Sequence, residues 1–459
     1  MSHLPPGPSR RLPGTMAFAF SRGRLQLLQR LTRKYGDVVY FEVAGAPFTI
    51  LNHPDFARDV LVTRHRAFHK GVGLERARML LGHGLLTSED DFHARQRRLL
   101  LPAFHRERIV GYADTMVLHV RRRSEQWSAG NVIEVASEMA ALALAIAGKT
   151  LFDADVEDEA SEIGEAVSSV LASFNFALLP FGDKLVNFPI PPAIRFKRAK
   201  ARLDATVYRL IAERRTKGAT GRDVLSMMVS ARDVEGDNAG MTDEQIRDEA
   251  MTLLLAGHET TANALTWTWY LLSQHPEIEA RLHAEVDAVL GGRDASAGDL
   301  PQLSYARAVV AESMRLYPPA YLVGRRALEP YAIPGTDYVV PARTVVLISQ
   351  YLLHRDPRFW DDAEQFVPER WLDEGRAERH RYAHFPFGAG TRICIGEHFA
   401  WMEAILALST IAQRWRLRLV PGQKIEMQPI ITLRAKNGIK MVAEHRADES
   451  RNGARPARG

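Results

Sequence analysis

Cysteine is almost missing from this chain: Cys394 is the single one among 459 residues. One thiol closes no intramolecular disulfide and supplies neither a cysteine-rich zinc site nor an iron–sulfur cluster. It suits a reducing compartment, so a cytoplasmic location is expected. A strong excess of charge is missing too, with 60 basic residues against 55 acidic ones and a net charge of +5. That is a weak case for nucleic acid, and none is expected as a partner. An uninterrupted apolar run is also absent. Met1 to Thr15 is rich in proline and arginine and lacks the apolar stretch of a signal peptide. The longest helical apolar stretch, Ala250 to Gln274, is broken by Gly257-His258-Glu259-Thr260-Thr261. A buried core helix is expected there, and no integral membrane anchor. There is no repeat of fixed period and no low-complexity block. What remains is of ordinary globular composition, 46% hydrophobic and 25% charged, and long enough to bury its own core.

Residues 1–15 read as an extended N-terminal arm, 16–444 as one large domain and 445–459 as a flexible polar tail. Val38–Val43 and Pro47–Leu51 are β-prone and read as a hairpin. From there to about residue 317 the pattern is mainly helical, with breaks near 127–131, 180–192, 217–222 and 235–241. Thr242 with Gln245 three residues on makes a capping box, Asp243 and Glu244 suit a first turn, and His275-Pro276 is a stop. A helix over 242–274 is about 50 Å long at 1.5 Å per residue, enough to cross the molecule. Further helices are expected at about Ser304–Tyr317 and His398–Arg414, and strands at Tyr321–Ala327, Tyr338–Val340 and Thr344–Ser349. The fold class is mainly α with a minor β region, in a single large domain.

The lone cysteine sits in Phe387-Gly388-Ala389-Gly390-Thr391-Arg392-Ile393-Cys394-Ile395-Gly396. Glycines let a backbone approach something flat, and the free N–H groups of a helix start stabilise a thiolate. A thiolate so held against a planar macrocycle is the axial-ligand arrangement of haem enzymes that cleave O–O bonds. An inert buried thiol is the plainer alternative. No strand-led Gly-x-Gly-x-x-Gly unit supports a dinucleotide loop. The second element is Ala256-Gly257-His258-Glu259-Thr260-Thr261 in mid-helix. Its composition suits a locally opened helix in which Thr260 donates to a diatomic ligand and Glu259 relays protons through water. Alternatively, Thr260 simply bonds back to the Ala256 carbonyl. The third is Glu312-x-x-Arg315, on one helix face, with Arg370 of Pro368-Glu369-Arg370 as a further partner; a surface ion pair is the alternative. The fourth is His93-x-x-x-Arg97, two donors on one face for an acidic group, or an ordinary surface pair.

Together the four elements resemble the cytochrome P450 haem-thiolate monooxygenases. The Phe-x-x-Gly-x-Arg-x-Cys-x-Gly signature is met at Phe387, Gly390, Arg392, Cys394 and Gly396, and the likeness runs from about Pro6 to Glu444. It implies the cytochrome P450 fold, with haem b (iron protoporphyrin IX) between the long central helix and the cysteine loop. Cys394 is implied as the axial iron ligand, with Phe387 and Gly388 beside it. His93, Arg97, Arg392 and Arg325 are implied to hold the haem propionates, with Arg326 open as the alternative to Arg325. Where His93 stands the family often has Trp. Glu259 and Thr260 are implied as the oxygen-activating pair, and Glu312, Arg315 and Arg370 as a structural cluster behind the haem. Leu85, Phe174, Phe176, Leu179, Ala256, Tyr321, Leu322 and Ile431 are expected in a pocket for a large apolar substrate: a fatty acid, terpenoid, steroid or carotenoid. The implied activity inserts one oxygen atom from O2, with electrons from NAD(P)H passing through a separate ferredoxin or flavodoxin and its reductase. That partner is expected on a basic face of Arg95, Arg98, Arg355, Arg358 and Arg392, and the chain is expected to be a monomer. A peroxide-driven peroxygenase and a haem-binding sensor are the alternatives; the Glu259-Thr260 pair speaks against both.

Overall fold

The computed structural model describes residues 3–8, 15–153, 170, 185–218, 221, 223–372 and 379–446. The expected pocket residues Phe174, Phe176 and Leu179, and the tail beyond 446, lie outside the described residues. Asp243–Gln274 is one α-helix of 32 residues, about 48 Å long at 1.5 Å per residue. Its capping box forms: Gln245 N donates to Thr242 Oγ1 at 3.2 Å, and Thr242 N to Gln245 Oε1 at 3.0 Å. The helix runs on through 256–261, so the local opening expected there is absent. The backbone is kept helical because packing encloses it on all sides, which overrides the low propensity of Gly257 and the threonines. From Ile246 to Trp269 every residue is buried except Ala256, Gly257 and Thr260.

Val135–Phe152 lies against this central helix, and its Met139, Leu142 and Ile146 share a core cluster with Leu265 and Trp269. Among the described residues, it is the one helix long and apolar enough to cross a membrane. Packing against the protein's own helices accounts for that composition. Trp267 of the central helix stacks on Tyr317 with centroids 4.2 Å apart, which fixes the end of the helix Ser304–Leu316. The last helix of the core is Glu397–Ala412, which follows the cysteine loop directly.

Among the described residues, four small sheets flank this helical body within a single domain. The largest has the strand order Val38–Val43, Ala46–Leu51, Val345–Ile348, Val323–Ala327, Phe68–Lys70. The first two strands form the expected hairpin, and Val345–Ile348 joins it in parallel. The strand expected from Tyr321 begins at Val323. The Tyr321 carbonyl is instead taken by Tyr351 N at 3.2 Å and Ser349 Oγ at 2.9 Å. At the opposite edge Lys70 pairs in register with Arg325. A separate hairpin joins Met427–Pro429 to Leu433–Ala435. In the N-terminal arm, the Pro6 carbonyl accepts from Tyr40 N at 2.9 Å. A Cβ on Gly7 would fall 1.7 Å from the Tyr40 oxygen, so that approach requires glycine.

Candidate active site

The cysteine loop is shaped by two glycines. Gly388 and Gly390 hold φ of 75° and 71°, a region L-residues avoid. A Cβ on Gly390 would stand 2.1 Å from the Leu61 carbonyl oxygen. The turn so formed lets Cys394 N donate to the Phe387 carbonyl at 3.0 Å, while the Phe387 ring packs on Trp401 at 5.8 Å. Cys394 keeps accessible surface. Burial pushes the thiol up to about 11, against the lowering by the Gly396 N–H, and Glu397 adds to the rise. Arg97 does not offset it. Such a thiol loses its proton when a metal cation takes the proton's place.

Beside it lies a crowd of cations. Arg97 donates to the Ile393 carbonyl at 2.8 Å, gripping the loop one residue before the cysteine. Arg392 donates to Glu89 at 2.6 Å and to the Phe68 carbonyl at 2.9 Å. Arg325 is 9% exposed and meets no carboxylate directly; its one hydrogen bond is to the neighbouring Gly324 carbonyl at 3.0 Å. Arg326 points the other way, to Glu75. The alternation of a strand thus brings Arg325, and not Arg326, to the cluster. The structure adds a cation that the sequence reading missed. Lys70 is 4% exposed and donates to the carbonyls of Leu85 at 2.8 Å and Ser88 at 2.5 Å. Burial, with Arg392 and Arg325 nearby, lowers Lys70 to about 7 and Arg325 to about 10. Like charges directly opposite on two strands oppose folding.

His93 completes the group. Lys70 Nζ and Ser88 Oγ stand 3.5 and 3.3 Å from its Nδ1, and both can donate to it. Its Nε2 is buried with no partner among the described residues. Burial and the cations around it lower His93 to about 3, so the ring is neutral. A buried ring nitrogen without a partner and a surplus of buried cations fit a group with two carboxylates. Gly257, where a Cβ would meet nothing within 4 Å, fits a flat body beside the helix.

On the central helix, Ala256, Gly257 and Thr260 are half-buried. The Thr260 hydroxyl donates to the Ala256 carbonyl at 2.7 Å, the back-bond also seen at Thr266 and Thr268. Glu259 is tied to Thr432 and Arg434. Of the expected pocket residues, Leu85 is buried and Ile431 is 40% exposed at a turn. Leu322 is half-buried beside the Leu25–Tyr321 cluster. Tyr321 offers no free hydroxyl: it donates to the Ile430 carbonyl at 2.8 Å and accepts from Arg24 at 2.8 Å. It therefore backs the turn that carries Ile431.

Behind the loop, Glu312 and Arg315 are wholly buried. Glu312 accepts from Arg315 Nε at 2.9 Å and Nη2 at 2.8 Å, and from Arg370 Nε at 3.0 Å. It also takes Val367 N at 3.0 Å and Trp371 Nε1 at 2.8 Å. The remaining Arg315 donors reach the carbonyls of His354, Ala363 and Gln365. Of the basic face expected for a partner, Arg355 and Arg392 are half-buried, and all five arginines pair with the chain's own carboxylates: Asp233 for Arg95 and Arg98, Glu364 for Arg355, Asp37 for Arg358, Glu89 for Arg392.

Residues 5–441 match the family described as Cytochrome P450, and the chain belongs to that family. It is an oxygenase, and haem is the cofactor the family implies. Among its relatives is cyclooctatin synthase of Streptomyces melanosporofaciens, 41% identical over 94% of this chain and 93% of the relative. Cyclooctat-9-en-7-ol 5-monooxygenase of the same organism is 39% identical over 91% of this chain and 90% of its own length. Pentalenene oxygenase of Streptomyces avermitilis is 35% identical over 91% and 92%.

Proposed function

We propose that the chain inserts one oxygen atom from O2 into a C–H or C=C bond of a large terpenoid. The observation that carries this reading is the group of buried Lys70, His93 and Arg325 with half-buried Arg392, together with Arg97, which grips the loop of the accessible Cys394 at the Ile393 carbonyl. The terpenoid class is supported by the names of the three relatives. Haem b, when bound, supplies the redox chemistry at iron. Cys394 would bind its iron, and His93, Arg97, Arg325, Arg392 and Lys70 would hold its carboxylates. Phe387 and Gly388 shape the loop on the far side of the thiol. Hydroxylation balances as RH + O2 + NAD(P)H + H⁺ → ROH + H2O + NAD(P)⁺. Two protons must therefore reach the oxygen; in this reading Thr260 orders them and Glu259, once released from Thr432 and Arg434, supplies them. For that role Thr260 must turn its hydroxyl from Ala256 toward the oxygen.

A ferredoxin or flavodoxin with its reductase supplies the electrons. Its landing face in this reading is the outer side of the cysteine loop, where Phe104 lies 3.8 Å from the Cβ position of Gly396. The exposed His105, Arg106 and Arg108 follow Phe104 directly. The test is turnover of C15 and C20 terpene hydrocarbons and alcohols with a surrogate ferredoxin, reductase and NADPH. Oxygenated product is expected from the wild type. Cys394→Ser should lose both product and the strongly red-shifted Soret band of the reduced carbon monoxide complex. Retention of that band in the variant refutes the ligand assignment.

A further inference from the structure

Glu259 precedes Thr260 by one residue and faces a different side of the helix. Its carboxylate accepts from Thr432 Oγ1 and, at 2.5 Å, from Arg434 Nε. Thr432 in turn accepts from Asn263 Nδ2 at 3.1 Å, and Trp267 Nε1 donates to the Leu433 carbonyl at 2.9 Å. Residues 259, 263 and 267 stand at i, i+4 and i+8, one stripe of the helix. That stripe grips the second strand of the hairpin Met427–Pro429 with Leu433–Ala435. The same hairpin turn carries Ile431, which is 40% exposed while its neighbour Thr432 is 6% exposed. From the other side the turn is held at the Ile430 carbonyl by Tyr321 and Arg24.

We propose that Arg434 is a positioning residue: with Thr432 it holds Glu259 away from the oxygen site until a substrate pressing on Ile431 shifts the turn and frees the carboxylate. The proposal rests on the monooxygenase reading and adds to it a link between pocket filling and proton supply. A carboxylate that relays protons must reach water and the next donor. One fixed by a charge-assisted hydrogen bond is held in a single place. Ile431 lies one residue from Thr432 and three from Arg434, so an apolar body seated on it acts directly on both partners of Glu259. The restraint has a clear use. Without substrate, protons reaching reduced oxygen give only O2 + NAD(P)H + H⁺ → H2O2 + NAD(P)⁺. A carboxylate locked to the hairpin withholds them.

The test uses the haem-loaded enzyme with a surrogate ferredoxin and reductase, without substrate. Arg434→Gln should consume NAD(P)H and release hydrogen peroxide about 3–10 times faster than the wild type. Thr432→Val should shift the rate in the same direction, and Arg434→Lys, which keeps the charge, should stay near the wild-type rate. Combining Glu259→Gln with Arg434→Gln should cancel the increase. A second readout needs no turnover: the Tm losses of Glu259→Gln and Arg434→Gln should be non-additive in the double variant. Unchanged substrate-free consumption in Arg434→Gln makes the pair a static brace and overturns the proposal, as does additivity in Tm. A wild type that consumes no NAD(P)H and oxidises no terpene refutes the monooxygenase reading, and the restraint on Glu259 falls with it.

Discussion

Replacing Glu312 by Ala should be the most destabilising single change near the candidate site. Glu312 receives five hydrogen bonds from four residues, and neither it nor Arg315 has any exposed surface. Breaking a buried pair by removing one partner costs about 3–5 kcal/mol, because the other charge stays uncompensated. The Val367 N–H and Trp371 N–H lose partners too, at about 1 kcal/mol each. Water reaches Trp371 and Arg370 more readily than Arg315, so about 5 kcal/mol is the working figure. With 459 residues and an unfolding entropy of roughly 2.1 cal/mol/K per residue, each kcal/mol moves Tm by about 1 °C. Glu312→Ala should therefore lower the Tm of the holoprotein by about 5 °C, read by calorimetry, and reduce recovery of haem-loaded protein. Arg370→Ala removes one bond from a half-buried guanidinium and should cost less than half as much. If the two variants shift Tm equally, or Glu312→Ala shifts it by under about 1 °C, the three charges do not act as a buried network.

Three other outcomes follow from the site. His93→Ala and Arg97→Ala should each speed haem loss to apomyoglobin, since one charge-assisted hydrogen bond to a buried group contributes roughly 1.5–3 kcal/mol; unchanged loss rates in both would remove them from the haem cradle. Thr260→Ala should bind substrate normally yet lower the ratio of product to NAD(P)H consumed and raise peroxide, whereas Thr260→Ser should keep most of the coupling; a wild-type ratio in Thr260→Ala would mean that the hydroxyl serves only its Ala256 back-bond. Glu403 is buried against Thr261, and burial raises its carboxyl from an ordinary 4.5 to about 8. The folded state then holds a proton that the unfolded chain gives up, so the wild type loses stability as pH rises from 4.5 through about 8. Glu403→Gln should lack that loss, and the Tm gap between the two should move in favour of the variant from pH 5 to pH 8.

The central helix was legible because its signals are local: a capping box, an acidic first turn and a His-Pro stop all lie within 35 residues of one another. The cysteine loop was legible for the same reason, since its glycines, arginine and cysteine all lie within ten consecutive residues. The Glu312 cluster was legible in its charges but not in its completeness. Three of the Arg315 partners are backbone carbonyls brought in by a loop some 40 to 50 residues away. Lys70 carried no signal, since a lysine on a short strand reads as surface until the register sets it against Arg325. The ion pairs of two arginines assigned to a docking face were not legible because their carboxylates are remote in sequence, Asp37 lying 321 residues from Arg358 and Glu89 lying 303 from Arg392.

The pairing of Lys70 with Arg325 across two strands has a consequence at the level of the cell. A chain that places like charges face to face without an anion between them folds against its own repulsion. A dianionic cofactor that binds the native form and not the unfolded one shifts that balance by mass action. Polypeptide made during haem shortage would then remain longer in conformations that proteases recognise. The amount of this protein in its host should accordingly track the supply of haem even at constant transcription, so that cofactor availability sets enzyme dosage through turnover of the unfilled chain.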